Sequence, residues 1–181
     1  VSCFAISDEE VIHQEVNGHL WFFRYPIKNS ENFLSVATTR PETMLGDTAV
    51  AVNPNDKRYK NYIGKLILLP IVGREIPIIA DEHVDPEFGT GCVKVTPAHD
   101  PNDFLIGERH KLDFINIMNE NASMNNNVPS DYRGLSREMA REKVVENMEN
   151  LGLMDRVEDH LHKVGISERG QVPIEYYMSN Q

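Results

Sequence analysis

Seven short blocks of β-branched and aromatic residues constrain this chain more than any other feature. They lie at 20–26 (LWFFRYP), 33–39 (FLSVATT), 48–54 (TAVAVNP), 65–72 (KLILLPIV), 74–80 (REIPIIA), 91–97 (GCVKVTP) and 115–118 (INIM), each bounded by turn formers. Blocks of this length and makeup predict strands rather than helices. Two stretches read otherwise. Asp100 can cap a helix, with Pro101 in its first position, that runs to about His110. A second helix is expected from near Ser136, with Ala140, Val144, Met148 and Leu151 at helical spacing, to a stop at Gly152. A single helical turn is expected after Pro41, ending at Gly46. Many strands with few helices predict a β-rich fold, all-β or α+β, with a closed or half-closed β-barrel core and peripheral helices.

The expected organisation is one domain over 1–181, with a lead-in at 1–19, the barrel core and its helices at 20–154, and a return segment at 155–181. Residues 119–134 are too polar and Asn-rich to bury and read as a surface loop, and the return segment reads as a linker with one strand at Val172-Pro173-Ile174. The opening Val1 and the uncapped ending suggest an internal piece of a longer chain. No run approaches the ~18 apolar residues of a membrane span, so no membrane partner is expected. Cys3 and Cys92 form no CxxC pair, which suits a reducing, cytoplasmic setting. With 28 acidic and 18 basic residues the formal net charge is −10, the wrong sign for gripping a nucleic-acid backbone by counterion release. If RNA is the partner, most of its affinity has to come from elsewhere.

Three constellations carry possible chemistry. The first, Thr38-Thr39-Arg40-Pro41-Glu42-Thr43, puts hydroxyls, a guanidinium and backbone amides where a strand ends and a helical turn begins, a place suited to an anionic or polyhydroxylated ligand. Its plain structural reading is a turn capped by Thr39 with Arg40 paired to a surface acid. The second, Phe88-Gly89-Thr90-Gly91, lets backbone approach a ligand closely, or is merely a tight turn before a strand. The third begins with Lys94 and Thr96, which share a strand face with Cys92 while Val93 and Val95 take the other, expected core face, and leads through His99 into Asp100 and Asp103. Singly, Asp100 is a good N-cap, and Asp103 gains about 0.3–1 kcal/mol from the helix dipole. Together Lys94, Thr96, Asp100 and Asp103 make a mixed-charge corner whose natural ligand for the carboxylates is an ammonium group. His99, Asp100, Asp103 and His110 are poorly spaced to converge on a metal, and Cys92 with His99 lacks a third orienting group for covalent catalysis. His160 and His162 read as surface.

From Val36-Ala37-Thr38-Thr39-Arg40-Pro41-Glu42-Thr43-Met44-Leu45-Gly46-Asp47-Thr48-Ala49-Val50-Ala51-Val52 through Phe88-Gly89-Thr90-Gly91 to Val95-Thr96-Pro97-Ala98-His99-Asp100-Pro101-Asn102-Asp103-Phe104, the chain closely resembles the editing insertion of class I valyl-tRNA synthetases. The likeness extends to Asp159-His160 and Ser167-Glu168-Arg169. The isoleucyl pattern differs in the first motif and has glycine at the position of Asp100, and the leucyl pattern has aspartate at that of Glu42. The signatures of the synthetic domain, His-Ile-Gly-His and Lys-Met-Ser-Lys-Ser, are absent. The resemblance implies a β-barrel with peripheral helices that hydrolyses threonine from mischarged valine tRNA, with the acylated 3′ end of that tRNA and the remaining synthetase domains as partners and no cofactor or metal. It also implies that Asp103 holds the α-ammonium group and Asp100 the threonine hydroxyl. Lys94, Thr96 and Thr43 then line the pocket, Arg40 and Phe88 position the acyl and adenosine ends, and Thr38, Thr39, Glu42, Gly89, Thr90, Gly91 and His99 complete a cradle for ribose and ester. Two other classes remain open, a metal-dependent hydrolase using His99, Asp100 and Asp103, and a passive module that binds RNA ends.

Overall fold

The structure, a computed structural model, describes residues 11–167, with side chains over 18–160. The chain runs through β1 (Val11–Pro26), β2 (Phe33–Thr38), a 3-10 turn (Pro41–Gly46), β3 (Ala49–Val52), β4 (Leu66–Leu68), β5 (Glu75–Ala80), β6 (Cys92–Val95), α1 (Pro101–His110), α2 (Arg137–Asn150) and β7 (Met154–Ser167). Two sheets result. One is antiparallel in the order β2-β1-β7; the other runs β4-β5-β3-β6, with β3 parallel to β5 and the remaining pairs antiparallel. An isolated bridge between Ile27, just past the end of β1, and Ile67 of the edge strand β4 links the two. Among the described residues the ladders form a β-rich pair of sheets, one of them mixed, as expected in class; closure into a complete barrel is not shown.

The central position of β3 follows from its residues. All four of Ala49-Val50-Ala51-Val52 are buried, because apolar layers cover both faces. Val50 and Val52 face the larger core with Phe23, Leu34, Val36 and Ile78, whereas Ala49 and Ala51 face a smaller cluster with Val84, Val95 and Ile106 of α1. Gly107 brings α1 close on that side: a Cβ there would lie 2.8 Å from Cβ of Pro97. At the other end of α1, the buried Asp81 carboxylate binds Arg109 at 3.0 Å and His110 at 2.9 Å. Burial would raise the Asp81 pKa, but the His83 amide, His110 and Arg109 hold it down at about 2. Helix α2 buries Ala140, Val144 and Met148 as expected and is capped by Ser136 Oγ, which accepts from the Met139 amide. Leu151, expected on the same stripe, lies past the helix and is exposed.

Three expectations need correction. Residues 11–19 and 155–167, read as lead-in and linker, are the paired arms of β1 and β7; their long register, Val11↔Ser167 to Phe23↔Met154, depends on partners far apart in sequence. Residues 115–118 form no strand, only a bridge between Met118 and Met124. The Asn-rich loop 119–134 is not wholly at the surface: Met124, Val128 and Tyr132, spaced by four, sink into the larger core. Its asparagines fold it locally, with Asn125 and Asn127 both donating to the Asn116 carbonyl at 2.8 Å. The expected strand at 172–174 lies outside the described residues. Among those described, no helix is long and apolar enough to cross a membrane.

Candidate active site

Where the end of β2, the 3-10 turn, β6 and the start of α1 meet, the surface opens into a cavity of about 390 Å³. Ala37, Thr38, Thr39 and Arg40 line it from the first motif, with Thr43 from the 3-10 turn. Phe88 and Gly89 contribute from the loop before β6, and Val93, Lys94 and Thr96 from that strand and its end. His99, Asp100 and Asp103 close the side nearest α1, and Leu20 and His160 come from the β1–β7 arm. The three motifs, separated by dozens of residues, thus share one concavity.

Lys94 organises its floor. The side chain is only 8% exposed, and Nζ donates to Thr43 Oγ1 at 2.9 Å and Thr96 Oγ1 at 2.8 Å while pairing with Asp47 Oδ1 at 2.9 Å. An ammonium group has three hydrogens, so these partners saturate it. Asp47 is fully buried and also accepts from Thr96 Oγ1 at 2.6 Å and from the Tyr25 hydroxyl at 2.7 Å. Burial pushes the Asp47 carboxyl up, against Lys94, Thr96 and Tyr25, which favour its ionised form. The face bearing Cys92, Lys94 and Thr96 therefore looks into the larger core, not away from it. Val95, assigned to the core face, joins the smaller cluster under α1. Two core layers, rather than one, make both faces of β6 interior.

Asp100 performs the cap expected of it: Oδ1 accepts from the amides of Asn102 at 2.8 Å and Asp103 at 3.1 Å. Both cap bonds fall on Oδ1, so the cap does not use Oδ2. Asp103 Oδ2 accepts from the Thr96 amide at 2.9 Å. Burial, and next the charge of Asp100, raise the Asp103 pKa to about 7. Lys94 opposes that shift, but its hydrogens are already engaged. Among the described residues neither Asp100 nor Asp103 has an ion-pair partner. Among the described residues the corner is short of one cation.

His99 is 1% exposed, and its Nε2 accepts from the Ile117 amide at 2.9 Å. Burial, then Arg40 and Lys94, pull its pKa down to about 4, so the ring is neutral at pH 7 with its proton on Nδ1. That N–H has no partner among the described residues. The His99 carbonyl takes a 2.9 Å hydrogen bond from Arg40 Nη1, which ties the first motif to the third. Burial raises the Cys92 thiol to about 12 and keeps it protonated at neutral pH.

Other motif residues do not line the cavity. Glu42 is fully buried and makes a two-pronged contact to Arg141 of α2 at 2.9 and 3.0 Å. Thr90 donates to the Ser35 carbonyl at 2.5 Å, and Gly91 sits at φ +83°, where a Cβ would meet Arg58 Nη2 at 2.6 Å. All three shape the walls from behind. Conversely, sequence reasoning placed His160 at the surface and missed Asp47, Leu20, Ala37 and Val93. A signal for Asp47 existed, since it is a carboxylate inside the otherwise apolar run Met44-Leu45-Gly46-Asp47-Thr48-Ala49-Val50. Nothing local distinguishes His160, whose place depends on the β1–β7 pairing.

Residues 55–162 match the family model described as "Leucyl-tRNA synthetase, editing domain". The chain belongs to this family of synthetase editing domains. It is 58% identical, over 98% of its length, to the valine–tRNA ligase of Synechocystis sp., of which it covers 19%. It is 57% identical to that of Geobacillus stearothermophilus, again over 98% of its length and 20% of the relative. The chain thus spans about a fifth of the length of these curated relatives. Its fold is similar to part of a leucyl-tRNA synthetase of Agrobacterium radiobacter K84, solved as a ternary complex with tRNA and LeuAMS, at a TM-score of 0.59 and 18% identity over 86% of this chain and 21% of that one. Although the family model is the leucyl one, these near-complete sequence relatives are valine–tRNA ligases, in accord with the valyl features at Glu42 and Asp100.

Proposed function

We propose that this editing domain serves a valine–tRNA ligase and hydrolyses the ester between wrongly attached threonine and the terminal adenosine of valine tRNA. The observation that carries the reading is a carboxylate without a cation: among the described residues Asp103, half-buried beside Asp100, has no ion-pair partner, and an aminoacyl ester brings an α-ammonium group. Asp103 binds that ammonium, Asp100 accepts from the threonine hydroxyl, and Phe88, 76% exposed at the mouth, packs against the adenosine. Arg40 fixes the acyl end. The two sheets and their Ile27–Ile67 bridge act as a half-closed barrel that carries these groups.

The need for such a site is physical. The valyl enzyme is itself the known example of an apolar synthetic pocket that rejects isosteric threonine only about 10²-fold. Among the described residues of the cavity no side chain is placed as an evident general base. Water held among the polar groups attacks the ester carbonyl, and catalysis is mainly alignment and stabilisation of the developing oxyanion. The net charge of −10 fits a module to which other domains deliver a single-stranded RNA end.

Incubating the chain with threonyl- and valyl-tRNA(Val) tests this directly: rapid loss of threonine alone supports the reading, and equal rates would overturn it. Asp100→Ala is expected to slow threonine removal by roughly 10- to 150-fold, since a hydrogen bond to a charged group contributes about 1.5–3 kcal/mol. Valine removal should change less. Loss of the cap alone would cost about 0.5–2 kcal/mol of stability and leave the threonine-to-valine preference intact. Asp100→Asn, which retains a capping oxygen, should spare stability and still erode the preference.

A further inference from the structure

We infer that Arg58 and Tyr59, both outside the cavity, are positioning residues that hold loop 85–91 so that Phe88 forms the cavity wall. The inference rests on the reading of Phe88 as the contact for the terminal adenosine. Adjacent residues grip the loop near both ends. Arg58 Nη2 donates to the Pro86 carbonyl at 2.8 Å, and the Tyr59 hydroxyl donates to the Thr90 carbonyl at 2.5 Å. The grip is itself braced: Asp56 takes Arg58 Nε at 3.0 Å and Nη2 at 2.8 Å, and the guanidinium lies 4.9 Å from the centre of the Tyr59 ring. Across the gripped segment, Phe88 N donates to the Asp85 carbonyl at 3.1 Å and Gly91 N to the Phe88 carbonyl at 3.0 Å, closing two successive turns that meet at Phe88.

Gly91 explains why this motif ends in glycine. A Cβ there would lie 2.6 Å from Arg58 Nη2, 3.1 Å from Asp56 Oδ2 and 3.1 Å from the Pro86 carbonyl, so a side chain would push the guanidinium off the loop. Thr90 and Gly91 thus act on the backbone that presents Phe88. An aromatic ring 76% exposed has little packing of its own to fix it, and its orientation is set by the loop beneath.

The test uses the whole ligase carrying this domain, in the wild type and in Arg58→Met, Tyr59→Phe, Phe88→Ala and Arg58→Met/Phe88→Ala forms. Each single change is expected to raise KM for threonyl-tRNA(Val) deacylation about 10-fold, the loss of one aromatic–base contact, with kcat within about twofold. Because Arg58 acts through Phe88, the double variant should be no worse than Phe88→Ala alone. Amide exchange over 85–91 should quicken in Arg58→Met and Tyr59→Phe and stay unchanged elsewhere. Additive losses in the double variant, a lowered kcat with unchanged KM, or unchanged exchange over the loop would each overturn the clamp. A wild-type ligase that hydrolyses no threonyl ester would defeat the functional reading instead, and the exchange measurement would still decide the clamp.

Discussion

Asp103→Asn is expected to remove most of the deacylase activity while raising the melting temperature at pH 8. Loss of one partner from a buried, hydrogen-bonded charge pair costs about 2–5 kcal/mol, so threonine removal should fall by roughly 30- to several-thousand-fold. The stability effect has the opposite sign. The folded-state pKa of Asp103 is raised, mainly by burial and next by Asp100, from 3.8 to about 7. Between those values the folded protein keeps a proton that the unfolded chain has released, so stability is greatest below the lower value and falls as pH rises through the window. Above about pH 7 the folded protein bears the full penalty of the buried charge. Asparagine never ionises and can still accept from the Thr96 amide. The difference in melting temperature between variant and wild type should therefore be small near pH 4 and grow toward pH 8. By the same titration, kcat/KM of the wild type should fall on acidification through about pH 7, as the ammonium loses its counter-charge. A variant that melts no higher than the wild type at pH 8 and retains its activity would show that Asp103 is only a structural acceptor.

Arg141→Met should be the most destabilising single change at the back of the site. Glu42 has no exposed side-chain surface, and Arg141 supplies its two-pronged partner from α2. Removing the arginine strands a buried carboxylate whose remaining cation, Arg40, is 3.8 Å away. Breaking a buried pair in this way costs about 3–5 kcal/mol, which for a chain of this size lowers the melting temperature by roughly 6–20 °C. Glu42→Met should cost less, because the stranded Arg141 side chain is 35% exposed and can turn to water. Replacing both residues together should recover much of the loss, since no unpaired charge then remains. Additive destabilisation in the double variant would show that packing, and not stranded charge, sets the effect.

Much of this architecture was legible before any coordinates. Local signals suffice where one residue decides the backbone: Asp100 with Pro101 starts α1, Ser136 starts α2, and Pro41 opens the 3-10 turn that ends at Gly46. Short blocks rich in β-branched and aromatic residues between turn formers located β2 and the surroundings of β3, β5 and β6, and the resemblance to synthetase editing insertions implied the pocket in which Arg40, Phe88, Lys94, Asp100 and Asp103 now stand together. Pairing was not legible. The β1–β7 arm is held by backbone hydrogen bonds between segments whose composition reads as linker, and it alone carries His160 to the cavity.

By itself, then, the sequence determined where both helices and the 3-10 turn begin, where most of the short strands lie, and which chemical groups the three motifs can offer, because these depend on neighbours along the chain. Which of those groups face the cavity was decided only by tertiary structure. Glu42, Thr90 and Gly91 stand beside cavity residues in sequence, yet Arg141, the Ser35 carbonyl and Arg58 engage them from behind the walls. Asp47, given no role in the site from the sequence, saturates Lys94 together with Thr43 and Thr96. Charge in a low-dielectric interior is governed by what lies within a few ångströms in space, and among the described residues that leaves Asp103 a carboxylate with no cation of its own.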